Sequence, residues 1–221
     1  MSSFSWIMYG LSFLELFPQF DCQIGDATQQ DCSSQQICTQ YGYELPYTVN
    51  YTNHTSLHNW VEQVDLTCRS SEQIAFIGSM FFIGWCCTLL WVPVLADKKG
   101  RKWIYFGSIL GTAIVILWML FAKSLWAIYF LMFMGGVLTS GRYTTGYVYG
   151  NEFCPSNWQV VWGTVQALED GSITLLISLY YDFVSNQYFV IFVIALAYAS
   201  YSLIVVGLFA PESPLWQIKM G

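Results

Sequence analysis

Long apolar runs, interrupted at intervals by short polar breaks, set the pattern of this chain. Residues 4–20, 74–96, 103–122, 125–150, 160–183 and 187–210 are each predominantly apolar, close to the roughly 20 residues a helix needs to cross a hydrocarbon core about 30 Å thick. Inside lipid the backbone must satisfy its own polar groups, and a helix does so within one segment. The pattern therefore predicts an all-α membrane protein with six transmembrane helices. Helix 1 falls within residues 1–20, helices 2–6 within 73–210, and an inner-side tail covers 211–221.

One stretch breaks the rhythm. Over residues 21–72 the aliphatics give way to Gln, Ser, Thr, Asn, Tyr and Cys, acidic side chains accumulate, and Arg69 is the single base. This predicts a long aqueous loop. The first apolar run carries Glu15 and has neither a basic leader nor a small-residue cleavage site, so it reads as a helix rather than a signal peptide.

Composition supports the membrane reading: 55% of residues are hydrophobic and 10% charged, too apolar for a soluble domain. The main surrounding partner is membrane lipid. A net charge of −6 leaves nothing basic enough for nucleic acid. The placement of the cations carries more information than the total. Lys98, Lys99, Arg101 and Lys102 cluster between helices 2 and 3. Such clusters stay on the cytoplasmic or matrix side, which brings both termini to that side and turns the long loop outward.

The outward loop holds Cys22, Cys32, Cys38 and Cys68 and two sequons, beginning at Asn50 and Asn53. Both features suit an oxidising compartment. Four cysteines allow three pairings, which the spacing leaves open, and each Asn is either glycosylated or unmodified. The plasma membrane is the expected location and the inner mitochondrial membrane the alternative; glycosylation of Asn50 or Asn53 would exclude the latter. Cys86, Cys87 and Cys154 read as packing residues.

Intramembrane charge costs about 2.5–3.5 kcal/mol per residue at a helix centre, so Arg142, Glu169 and Asp170 need partners or a wet cavity. At about 1.5 Å per residue, Arg142 lies about 15 Å in from Glu152, and Glu169 reaches a similar depth counted from Asn157. Gln166, Glu169 and Asp170 share one face of helix 5, and Tyr143, Gly146 and Tyr147 one face of helix 4. Together they are expected to line one wall of a cavity. Two readings follow: the acidic pair attracts a cation or proton, or Arg142 neutralises Glu169 as internal glue. Gly135, Gly136, Gly141, Gly146 and Gly150 make helix 4 small enough for close helix packing. There is no nucleophile with its base, no phosphate loop and no metal-ligand spacing, and His54 and His58 lack metal-site company. No catalytic residues, metal or cofactor are expected.

The junction of helices 2 and 3 reads Leu95-Ala96-Asp97-Lys98-Lys99-Gly100-Arg101-Lys102. Gly100 suits a tight two-helix turn, the cations anchor the loop, and Asp97 is placed to cap the next helix or pair with a cation. This stretch resembles the signature loop of the major facilitator superfamily. Within that superfamily, Trp60, Asp65, Leu66 and Cys68 before helix 2, Phe17-Pro18 with Cys22, Gly146-Tyr147, Glu152-Phe153 and residues 211–216 resemble the organic cation and anion transporters.

The resemblance implies one six-helix half of a facilitator, built as two three-helix repeats. It implies a component of an organic-ion transporter that needs a second six-helix half, from another copy or a separate chain. Gln166 matches a cavity glutamine of the resembled family. There are departures: Pro93 stands in place of a glycine, and Met132, Gln159 and Leu215 stand in place of inner-side arginines. Arg101 is left as the expected partner of both Glu152 and Glu212 in a depleted inner gate. That erosion supports the alternative, a non-transporting accessory subunit of a larger membrane complex.

Overall fold

A computed structural model of the chain describes residues 3–24, 27–39, 46–52 and 56–220. Helix α1, Ser5–Leu14, has 10 residues and is about 15 Å long. The apolar run continues to residue 20, but Pro18 disfavours helical backbone at Phe17 and cannot donate a helical N–H. The chain is extended from Leu16 onward and enters a strand at Phe20.

The expectation of an all-α chain is corrected here. Strands β1 (Phe20–Ile24), β2 (Ala27–Cys32) and β3 (Tyr47–Val49) form an antiparallel sheet in the order β2-β1-β3. The residues of β1 alternate: Phe20 and Cys22 are buried while Gln23 is exposed. Three strands this short leave little periodicity in a sequence that otherwise reads as a polar loop. Short helices α2 (Ser34–Thr39) and α3 (Trp60–Gln63) complete the segment. Cys22 lies at disulfide distance from Cys32, with Cα atoms 6.1 Å apart, and Cys38 from Cys68, at 5.5 Å. The sequon asparagine Asn50 is half-buried; Asn53 lies outside the described residues.

This segment is tied to the helix ends beneath it. Asn59 caps α3 by accepting from Val61 N–H and donates its amide to the carbonyls of Phe13 (2.9 Å) and Leu16 (2.6 Å), closing the end of α1. The Gln63 amide reaches the Ala122 carbonyl at 2.8 Å. His58 bonds through its backbone to Asn186 and Tyr188.

Helix α4, Ser71–Leu89, opens with a capping box in which Ser70 and Gln73 each accept the other's backbone N–H. The expected second helix is interrupted. Pro93 cannot donate to the carbonyl of Leu89, so α4 stops there and α5, Val92–Lys99, restarts with the proline in its first turn. Helix α6, Arg101–Phe121, follows. Helix α7, Leu125–Thr139, a π-helical segment, Ser140–Thr145, and α8, Gly146–Phe153, succeed one another without a break. Helices α9, Gln159–Phe183, α10, Phe189–Leu208, and α11, Pro214–Met220, complete the chain.

Among the described residues, α4, α6, the α7–α8 rod and α10 are long and apolar enough to cross a membrane. The remaining two sequence-derived spans differ for distinct reasons. Helix α1 is short, and α9, at 25 residues, is long enough but carries Gln166, Glu169, Asp170 and Asp182. The chain is thus a mostly helical, multi-pass membrane protein.

Helices α4 and α7 touch backbone to backbone. A Cβ at Gly84 would collide with the Phe133 carbonyl oxygen, and one at Gly136 with the Phe81 carbonyl oxygen. The helix 4 glycines therefore serve close contact, since each replaces a side chain with a neighbouring helix. Phe4, its ring against Gly135, stacks on Phe81 at 5.5 Å and fills the junction of α1, α4 and α7.

Candidate functional site

At the basic loop, Gly100 has φ 105° and joins α5 to α6 in the left-handed region that glycine tolerates. Asp97 does not cap α6. Its Oδ1 accepts from Arg101 Nη2 at 2.8 Å and Nε at 3.1 Å. Arg101 also donates through Nη1 to Glu152 at the end of α8, and the Ser213 hydroxyl donates to the other Glu152 oxygen. The Glu152 side chain is 6% exposed and that of Asp97 52%, so Arg101 serves mainly as the counter-ion of a buried carboxylate.

Glu212 departs from the sequence expectation. Rather than meeting Arg101, it accepts from the backbone N–H of Lys102 at 2.9 Å and of Ser213 at 3.1 Å. The first N–H groups of α6 have no partners within the helix, and a carboxylate at a helix N-terminus satisfies one of them while meeting the positive end of the dipole. Lys98 and Lys99 are exposed, and Lys102 lies 5.7 Å from the Trp103 ring. The loop, α8 and residues 211–213 form one clasp at this end of the bundle.

Deeper in the bundle, Arg142 lies in the π-helical segment and is 2% exposed. Its Nη2 donates to Thr139 Oγ1 at 3.4 Å, while Nε and Nη1 have no partner among the described residues. Of the two sequence readings, mutual neutralisation would need an Arg142–Glu169 contact, and no ion pair joins the two. Asp170, 8% exposed with Oδ1 unpartnered, lies within electrostatic range of Arg142 without an ion pair. Glu169 instead faces the hydroxyl of Tyr198 on α10.

Gln166 and Glu169 line a groove of about 410 Å³ together with Tyr105 of α6, Tyr149 of α8 and Trp162 of α9. Gly146 and Gly150 also line the groove, and the Trp162 ring packs directly against Gly150. Tyr143 and Tyr147 do not line it. Tyr143 meets Trp85 edge-on at 6.3 Å, and the Tyr147 hydroxyl lies 3.1 Å from the Cβ position of Gly163. Tyr147 follows Gly146 by one residue, about 100° round α8, and Tyr143 lies within the π segment, whose wider turn takes it off the Gly146–Gly150 line.

Tyr105, Tyr149 and Trp162 were not among the sequence-derived candidates, Trp162 and Tyr105 for different reasons. Trp162 precedes Gln166 by four residues and Glu169 by seven, so the α9 periodicity already placed it on that face. Tyr105 lies on another helix, and its approach is set by packing alone.

A groove with carboxamide, carboxylate and aromatic walls suits a small organic ion. Arg142 and Asp170 do not line the groove but keep charge inside the bundle, where it is expensive and marks function by default. The sequence pattern described as sugar (and other) transporter matches residues 32–221. The chain is also similar to Organic cation transporter 1 of Caenorhabditis elegans, at 24% identity over 174 residues, which is 78% of this chain and 29% of that protein. It spans under a third of the length of that relative. With the match running from residue 32 through the clasp and the helices that line the groove, the chain belongs to the sugar (and other) transporter family of the major facilitator superfamily.

Proposed function

We propose that the chain is a component of an organic-ion transporter and supplies one six-helix half of it. In this reading α1, α4–α5, α6, α7–α8, α9 and α10 are the six membrane segments, paired as two three-helix repeats. The basic loop faces the cytoplasm or matrix, and the plasma membrane is the location. The observation that carries the proposal is the groove in which Gln166 and Glu169 stand among Tyr105, Tyr149 and Trp162. A carboxylate with aromatic walls attracts an organic cation through charge and ring faces, in keeping with the name of the nematode relative.

Alternating access requires two halves rocking about a shared site, so flux depends on a second six-helix half. The test is uptake of radiolabelled tetraethylammonium into proteoliposomes holding this chain alone or with whatever co-purifies with it. Saturable uptake that falls at least ten-fold in Glu169→Gln supports the reading. Absence of uptake in both preparations refutes it, and a stoichiometric, unrelated complex without flux would assign the chain to an accessory-subunit role.

A further inference from the structure

We propose that the end of the bundle opposite the basic loop holds a binding site for one zwitterionic phospholipid. A pocket of about 520 Å³ lies between residues 64–69, the first turns of α4 and the α6–α7 turn. That volume is within the range of small-ligand sites. Four charged side chains line it: Arg69 and Lys123 on the cationic side, Asp65 and Glu72 on the anionic side. Among the described residues none of these forms an ion pair. Their charges sum to zero. An anionic headgroup would satisfy the two bases and be repelled by the two carboxylates, and a simple cation would meet the reverse difficulty. A headgroup carrying both a phosphate and an ammonium compensates all four.

The rings complete the ammonium side. Phe76 and Trp126 both stand edge-on to Tyr129, with centroids 5.3 and 5.7 Å away and interplanar angles of 87° and 90°. The Tyr129 hydroxyl is anchored on the Gln73 carbonyl at 2.6 Å. Phe76, Trp126 and Tyr129 all line the pocket, and an aromatic ring attracts an ammonium over its face. Asp65 is a non-glycine residue with positive φ, 56°, a backbone state that persists where the surroundings enforce it.

The tail has a place as well. An apolar groove of about 530 Å³ shares Lys123 with the headgroup pocket and is walled by Leu117, Trp118, Phe121 and Leu131. Both sites meet at the ends of α6 and α7, where apolar helix gives way to polar chain, the level at which headgroup joins acyl chain. Trp126 is 80% exposed there, as expected of an interfacial ring.

Native mass spectrometry of the full purified chain in detergent, titrated with dioleoyl phosphatidylcholine or dioleoyl phosphatidylglycerol, tests the assignment. One phosphatidylcholine per chain is expected, with phosphatidylglycerol at least five-fold weaker. Arg69→Gln with Lys123→Gln should lower phosphatidylcholine retention at least five-fold; both side chains are exposed, so the variant retains its fold. Trp126→Ala provides a second, independently folded variant with the same expected direction, and Lys98→Gln at the opposite end should change nothing. Equal or tighter phosphatidylglycerol binding, or unchanged retention in both site variants, overturns the proposal. Complete displacement by millimolar soluble phosphocholine would also overturn it, because the ligand would then be a free phosphate ester rather than a lipid.

Discussion

Replacing Arg101 by glutamine separates the two contacts of the basic-loop clasp. The change removes the counter-ion of Glu152, whose side chain is 6% exposed, and of Asp97, at 52% exposure. Breaking a buried pair by deleting one partner typically costs about 3–5 kcal/mol, because the remaining charge stays desolvated. An exposed i, i+4 pair is worth about 0.3–0.5 kcal/mol. The Glu152 contact therefore dominates. At about 2–4 °C per kcal/mol for a chain of this size, Arg101→Gln should lower the thermal midpoint by about 6–20 °C. Asp97→Asn should lower it by only about 1–2 °C on the same scale. In the double variant Arg101→Gln with Glu152→Gln no charge is left stranded, and much of the loss should return. Tryptophan-fluorescence melting in detergent reads the parent chain, the three single variants including Glu152→Gln, and the double variant. If Asp97→Asn proves as damaging as Arg101→Gln, or the double variant loses the sum of the singles, the clasp does not work as described.

Gly136→Ala should lower the melting midpoint through overpacking of about 1–3 kcal/mol, since its Cβ has no room against α4. Gly107→Ala, with nothing within 4 Å of its Cβ position, should instead gain about 0.5–1 kcal/mol of helix propensity; opposite signs in one melting series check both. Removing the Cys38–Cys68 link, with 30 residues of separation, should cost about 3.6 kcal/mol by the chain-entropy estimate, against about 2.7 for Cys22–Cys32, with 10. Denaturant melts of Cys→Ser pairs rank the two. Arg142→Met removes two buried, unpartnered donors and should raise stability by about 1–3 kcal/mol while abolishing tetraethylammonium uptake. A fall of several degrees in its melting midpoint would show that Arg142 holds the bundle together.

Much of this architecture was legible from local pattern. Apolar length follows from bilayer thickness, so α4, α6, the α7–α8 rod and α10 could be read directly as membrane helices. The turn at Gly100 followed from backbone chemistry confined to one residue, whereas the apolar run over 74–96 concealed the interruption at Pro93. The sheet was not legible: strands of three to six residues in a polar segment carry too little period to register.

The sequence by itself determined which residues are charged at membrane depth and which share a turn of one helix, because those relations depend only on spacing along the chain. Tertiary structure alone decided their partners. Periodicity fixes a face but not the azimuth at which that face meets its neighbour, and the π segment at Ser140–Thr145 shifts even the periodicity. Hence Glu169 turns to Tyr198, Arg142 stands apart from it, and Tyr105 enters the groove from another helix. For Glu212 the sequence pointed to a guanidinium, and packing over Gly100 delivers the carboxylate instead to the open N–H groups at the start of α6.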